Sequence, residues 1–161
     1  MATQMQNSFA RGAGALFIDL DGFKKINDDH GHSVGDSVLS AMADRMRLCS
    51  RETDTLARYG GDEFILVVET FDDHKFAAEI ALRILASLSE DLVVDDLTIK
   101  LSASIGIGLH PSDGDTPQML IDASDSAMYR AKAAGGGQFC FAHEPESPNS
   151  PSSDVPQSAA S

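Results

Sequence analysis

Gly60-Gly61-Asp62-Glu63-Phe64 places two carboxylates directly after a pair of glycines, and Phe64-Ile65-Leu66-Val67-Val68 continues as an apolar run. With the short strand-like stretch Thr55–Tyr59 before it, the segment predicts a β-hairpin with Gly-Gly at its tip. Acidic groups on such a turn are rigidly placed and free to face a cation. Two carboxylates about 4 Å apart repel by roughly 4 kcal/mol at an effective dielectric near 20, so a bound cation is the natural way to hold several together. Taken alone, a solvated hairpin tip explains the same residues.

Asp19 and Asp21 form a second acidic pair, closing the apolar run Ala13–Leu20. That run predicts a strand buried on both faces. If it neighbours the hairpin, Asp19 and Asp62 meet at one edge of the sheet. Strand alternation sends Asp62 and Glu63 to opposite faces, and the expectation is that Asp62 shares the face of Asp19. Two carboxylates and a backbone carbonyl leave room for water and substrate phosphate, which is how Mg²⁺ is usually held. An Asp that caps a turn is an equally good reading of Asp19 by itself. An EF-hand is excluded, because Phe23 and His30 stand where that loop needs oxygen ligands.

Lys24 and Lys25 follow the Asp19 segment, and Lys132 lies far downstream near the end of a predicted helix. Any of them also fits a solvated surface lysine, Lys25 best of all. Asn27 and Asp36 flank His30-Gly31-His32 in what reads as a polar loop. An amide and a carboxylate can match the edge of guanine, the carboxylate accepting from N1–H and the exocyclic amine. Helix-cap and loop roles explain these two residues as well. The two histidines alone make a poor zinc site.

The elements that must position these groups are visible in the apolar pattern. Val38, Leu39, Met42, Met46 and Cys49 predict a helix from Asp36 to about Cys49. Phe76, Ile80, Ile84, Leu85 and Leu88 predict a second helix, with Asp72 as its N-cap. Leu92–Val94, Asp95-Asp96 and Leu97–Leu109 read as a short strand, a turn and a longer strand in which Ile99, Leu101, Ala103, Ile105 and Ile107 alternate. A third helix over Thr116–Ala134 turns Leu120, Ile121, Ser124, Ala127, Met128 and Ala131 inward. Gly135-Gly136-Gly137 stops it before a short strand at Phe139–Phe141. The economical fold is a single α/β (α+β) domain over residues 13–143, with an antiparallel or mixed central sheet flanked by helices. Residues 1–12 read as loose, and 144–161 as a disordered Pro/Ser-rich tail.

Composition narrows the function. The 161 residues suit one domain, and 42% hydrophobic content is ordinary for a globular chain. A net charge of −13, from 12 basic and 25 acidic residues, argues against a sequence-independent nucleic-acid binder. A phosphorylated small molecule remains a suitable ligand where Mg²⁺ or a few lysines offset the charge locally. No stretch approaches a membrane span or a signal peptide, so a cytoplasmic location is expected. Cys49 and Cys140, far apart and without metal-ligand spacing, read as reduced thiols.

Phe17-Ile18-Asp19-Leu20-Asp21-Gly22-Phe23-Lys24-Lys25-Ile26-Asn27-Asp28, then Gly31-His32, Gly35-Asp36 and Arg58-Tyr59-Gly60-Gly61-Asp62-Glu63-Phe64, resemble the GGDEF domains of diguanylate cyclases. Ser102–Gly108 and Ala127-Met128-Tyr129-Arg130-Ala131-Lys132 continue the pattern in the same order. The resemblance implies a fold related to the nucleotidyl cyclase and polymerase palm. It also implies an activity: two GTP molecules, each held by one domain of a homodimer, condense to cyclic di-GMP. By this resemblance Asp19, the Leu20 carbonyl and Asp62 hold Mg²⁺, with Mn²⁺ as a substitute. Asp62 assists deprotonation of the attacking 3′-hydroxyl with Glu63 beside it, and Lys24 and Lys132 neutralise phosphate charge. Phe23, Asn27, His32 and Asp36 line the substrate site.

Arg51-Glu52-Thr53-Asp54 matches the family's RxxD product-inhibition site, roughly 17 Å from the turn at ~3.3 Å per residue. A helix-end arginine and a turn aspartate explain the same four residues, and Arg83 is a more speculative addition to the site. Two departures stand out. Gly135-Gly136-Gly137 replaces a Gly-Arg-Asn sequence whose arginine binds phosphate. The helix and Asp-x-Leu-Thr-Gly-Leu-x-Asn-Arg segment that usually precede the first strand are not found in Met1–Gly14, so the chain reads as truncated or as a piece of a larger protein. These departures keep an alternative open: an impaired module that binds GTP or cyclic di-GMP and regulates a partner.

Overall fold

The apolar run starting at Ala13 forms the central strand of a five-stranded sheet, buried along nearly its whole length. The computed structural model describes residues 12–70 and 73–144. In these the chain runs β1 (Ala13–Asp21), α1 (Phe23–His30), α2 (His32–Cys49), β2 (Thr55–Arg58), β3 (Glu63–Glu69) and α3 (His74–Ser89). It continues through β4 (Leu92–Val94), β5 (Leu97–Ile99), β6 (Ser102–Leu109), α4 (Pro117–Ala133) and β7 (Phe139–Phe141). The sheet order is β2-β3-β1-β6-β7, and β4 and β5 form a separate hairpin. β1 is antiparallel to both β3 and β6, while β7 joins β6 in parallel, so the sheet is mixed. The predicted fold class is the observed one.

The two faces of the sheet are built differently. Leu16, Ile18, Leu20, Phe64, Leu66 and Ile105 join one large core with residues of α1, α2 and α3. On the other face Phe17, Ile65 and Val67 meet Met128 of α4, and Ala13 and Ala15 meet Leu120. α4 lies close because β6 turns small residues towards it. A Cβ on Gly106 would fall 1.8 Å from the Ser124 carbonyl oxygen and 2.2 Å from the Met128 nitrogen. The glycine therefore sets the depth at which α4 lies on the sheet.

Several boundaries differ from the expectation. The segment Phe23–His30, read as broken chain and loop, is a helix, and α2 begins at His32 rather than Asp36. Left-handed Gly22 (φ 74°) and Gly31 (φ 88°) bracket α1, which buries only Phe23 and Ile26 and so leaves too little apolar periodicity to be seen. Asn27 and Asp36 consequently sit on helices, not in a polar loop. The long strand expected over 97–109 divides at Lys100-Leu101 into β5 and β6. The N-cap of α3 is Asp73, which accepts from the N–H groups of Lys75 and Phe76, and Asp72 lies outside the described residues. The stretches 1–11 and 145–161, read as loose ends, also lie outside them.

The glycine contact makes a direct prediction. Gly106→Ala should cost about 2–3 kcal/mol or more, because the added methyl meets helix backbone rather than a flexible side chain. Leu48→Ala, at a side chain 87% exposed, should stay within about 0.5 kcal/mol. Urea unfolding of the two variants checks the contrast.

Candidate active site

β1 and β3 carry the acidic motifs to one end of the sheet. Their register pairs Asp19 with Glu63. Residues directly opposite in an antiparallel pair share a face, so Glu63 is the face-mate of Asp19. This corrects the expectation for Asp62. That residue precedes the strand and lies in the turn, where alternation does not apply. Its backbone carbonyl accepts the N–H of Leu20 at 3.1 Å, which fastens the turn to β1. Asp62 is nevertheless near enough to Asp19 for their charges to interact.

α4 adds the opposite charge. Lys132 Nζ donates to Asp19 Oδ2 at 3.0 Å. The other oxygen, Asp19 Oδ1, is buried with no hydrogen-bond partner among the described residues. Burial raises the Asp19 pKa and the charge of Asp62 adds to the rise, with the Lys132 hydrogen bond working against both. For Lys132 burial opposes the ammonium, but the hydrogen bond to Asp19 and the charges of Asp19, Asp62 and Asp21 outweigh it and raise its pKa. Glu63 is raised by burial first, then by Asp19, Asp125 and Asp62. Asp125 was not singled out from the sequence. It lies on α4 seven residues before Lys132, a two-turn spacing that puts both on one helix face.

Asp21 has a different task. Its carboxylate accepts from Ser102 Oγ and Ser104 Oγ, each at 2.7 Å, and from the Gly137 N–H at 3.0 Å. It ties the end of β1 to β6 and to the turn after α4. Gly136 is left-handed (φ 71°), and a Cβ there would fall 2.6 Å from Asp21 Oδ2.

Beside the hairpin a cavity of about 460 Å³ is lined by residues that include Asp36, Leu39, Arg58 and Phe64. Of the expected base-binding residues only Asp36 lines it. Asn27 is half-buried on α1 with its Oδ1 unpartnered and pressed against Gly35, and His32 is exposed at the start of α2. The ring of Phe23 is buried in the core, so what Phe23 can offer a ligand is its backbone. Lys24 is exposed on the first turn of α1.

A second cavity, about 290 Å³, is lined by Arg47, Ser50, Arg51, Glu52, Asp54 and Leu56. The Arg51 N–H donates to Asp54 Oδ2 at 2.7 Å, while its guanidinium lies 4.4 Å above the Phe76 ring centroid. The pKa of Asp54 is raised by burial, against the lowering effect of Arg51 and of Arg83. RxxD is thus a closed turn with its arginine stacked on α3.

The sequence family described as diguanylate cyclase, GGDEF domain, matches residues 1–138. The chain belongs to the GGDEF family. It is 43% identical over 131 residues to the bifunctional diguanylate cyclase/cyclic di-GMP phosphodiesterase MucR of Pseudomonas aeruginosa, covering 81% of this chain and 19% of MucR. It is 42% identical over 132 residues to the diguanylate cyclase TpbB of the same organism, covering 81% of this chain and 30% of TpbB. The crystal structure of the TpbB (YfiN) GGDEF domain superposes with a TM-score of 0.83 at 37% identity, covering 89% of this chain and 93% of that one. The chain thus spans less than a third of either full-length relative, and among its described residues no helix is long and apolar enough to cross a membrane.

The raised pKa of Asp19 carries a sign that can be tested. An acid whose folded pKa lies above its unfolded value is destabilising when ionised, and that cost disappears as pH falls through the folded pKa. Asp19→Asn should therefore leave the ligand-free protein as stable as the wild type, or more so, at pH 7. The difference should narrow towards acid pH in thermal unfolding followed by circular dichroism.

Proposed function

We propose that this GGDEF domain is a diguanylate cyclase that joins two GTP molecules into cyclic di-GMP, the 3′-hydroxyl of each attacking the α-phosphate of the other and displacing its pyrophosphate. The observation that carries the reading is the buried, unpartnered Oδ1 of Asp19 beside the Asp62-Glu63 turn. A dry carboxylate oxygen without a donor is costly unless a ligand completes it. The oxygen donors here suit Mg²⁺, or Mn²⁺ in its place. Asp19, the Leu20 carbonyl and Asp62 would hold the ion, which when bound supplies charge stabilisation at the phosphate and a lower pKa for the attacking hydroxyl. The described residues gather no group of three or more His, Cys, Asp or Glu side chains able to hold a metal. Substrate phosphate and water would complete the coordination shell.

The protein groups then divide the work. Asp62 assists deprotonation of the hydroxyl with Glu63 beside it. Lys24 and Lys132 neutralise phosphate charge, Lys132 exchanging Asp19 for phosphate as the substrate arrives. Asp36 in the cavity accepts from the guanine N1–H and amine, with Asn27 and His32 on the adjoining helix turns and the backbone of Phe23 facing the phosphates. One domain holds one GTP, so the reaction needs a homodimer. Product bound at Arg51 and Asp54, with Arg83 nearby, acts at a site distinct from the turn and inhibits by holding domains apart.

One observation favours a second reading, a regulatory module that binds GTP or cyclic di-GMP without turnover. At Gly136, where the family pattern has a phosphate-binding arginine, the backbone is left-handed and Asp21 fills the space of a side chain.

Incubation with GTP and Mg²⁺, followed by chromatography, separates the two. The cyclase reading expects cyclic di-GMP, with specific activity rising with protein concentration and abolished by Asp62→Ala. Nucleotide binding without product at high protein concentration would favour the regulatory module. Arg51→Ala should relieve inhibition by added cyclic di-GMP, and unchanged sensitivity would remove the RxxD assignment.

A further inference from the structure

α4 hands over to β7 through Gly135-Gly136-Gly137, three glycines at positive φ (120°, 71° and 64°). The link caps the helix, since Gly135 and Gly136 donate their N–H groups to the carbonyl oxygens of Lys132 and Ala131 at 3.1 Å each. It carries no side chain that could key the last helical turn to the sheet. Apolar packing adds little there. Beyond Met128, among the described residues, α4 buries only Ala131, and Tyr129 is 71% exposed.

Arg130 supplies the tie. Its Nη2 donates to the carbonyl oxygens of Phe141 and Ala142 at 2.7 and 3.2 Å. Gln138 adds a second tie from the start of β7, its Nε2 donating to the Ala131 carbonyl at 3.2 Å. Both ends rest on a fixed strand: β7 pairs in parallel with β6, and the Ala142 N–H donates to the Ile107 carbonyl at 2.7 Å.

Arg130 and Lys132 stand two residues apart, which sets their side chains roughly 200° apart around the helix. Arg130 holds α4 to β7, while Lys132 reaches Asp19 of β1, on the other side of β6. The two ties oppose rotation of the helix about its own axis. A roll of about 20° would carry a side chain at a radius of roughly 5–6 Å through about 2 Å. That is enough to break the 3.0 Å hydrogen bond between Lys132 and Asp19.

We propose that Arg130 is a positioning residue for Lys132: by binding the end of β7 it fixes the rotation of the last α4 turn, and with it the reach of Lys132 to Asp19 and to substrate phosphate. The phosphate half rests on the GTP reading above; the clamp is a property of the nucleotide-free protein. A single nitrogen makes both bonds, and a lysine ammonium has three donors. Arg130→Lys should therefore lie nearer the wild type than Arg130→Met does.

Calorimetry with a non-hydrolysable GTP analogue and Mg²⁺ tests this on the wild type, Arg130→Met, Arg130→Lys, Lys132→Met and the Arg130→Met/Lys132→Met double variant. Arg130→Met should weaken binding roughly tenfold, with guanosine affinity nearly unchanged. The double variant should bind as Lys132→Met does, because nothing is left for Arg130 to position. Losses that multiply in the double variant, equal losses for the analogue and guanosine, or full affinity in Arg130→Met would overturn the proposal. A wild type that binds guanosine as tightly as the analogue would contradict the GTP reading and the phosphate half. Amide order parameters of Lys132 and Ala133 in nucleotide-free protein then decide the clamp, which expects them to fall in Arg130→Met and to hold in Arg130→Lys. Unchanged order in Arg130→Met would overturn it.

Discussion

Leu20 donates its N–H to the carbonyl of Asp62 just past the last rung of the β1–β3 ladder, and the placement of Asp19, Asp62 and Glu63 at one end of the sheet follows from that pairing. The register that puts Asp19 opposite Glu63 also puts Phe17 opposite Ile65 and Leu16 opposite Leu66. A slip of one residue would move each of these side chains to the wrong face. Burial of the apolar rungs thus holds together carboxylates that would otherwise separate. The acidic edge is stable because it is the end of a ladder whose interior is apolar on both faces.

The second constraint is the depth of α4. Helix backbone rests on Gly106 and Gly108, and that close approach brings Lys132 within hydrogen-bonding distance of Asp19. Asp21, held by two serines of β6 and by Gly137, fixes the turn that follows the same helix. Lys132 satisfies one oxygen of Asp19 and leaves the other without a partner. The ligand-free protein therefore holds a half-neutralised carboxylate, which a cation and a phosphate together would complete.

Much of this was legible in the sequence because it is carried by local pattern. The hairpin, the buried strand before Asp19 and the amphipathic helices over Val38–Cys49 and Phe76–Leu88 announce themselves by period and by glycine. The helix of Phe23–His30 did not, since two buried residues in eight give no stripe, and its boundaries are set by left-handed glycines that equally suit a loop. Which acidic residue faces Asp19 was also hidden. That choice depends on register and on where the turn ends and the strand begins, a matter of one residue. Asp125 escaped for a related reason: it acts on Glu63 from another element.

We propose Asp19 as half of a cation site that the nucleotide completes. Titration of Mn²⁺ followed by electron paramagnetic resonance, with and without a non-hydrolysable GTP analogue, tests it most directly. Binding of Mn²⁺ that requires the nucleotide and disappears in Asp19→Asn is the expected result. Tight Mn²⁺ binding without nucleotide, or binding unchanged in Asp19→Asn, would contradict it.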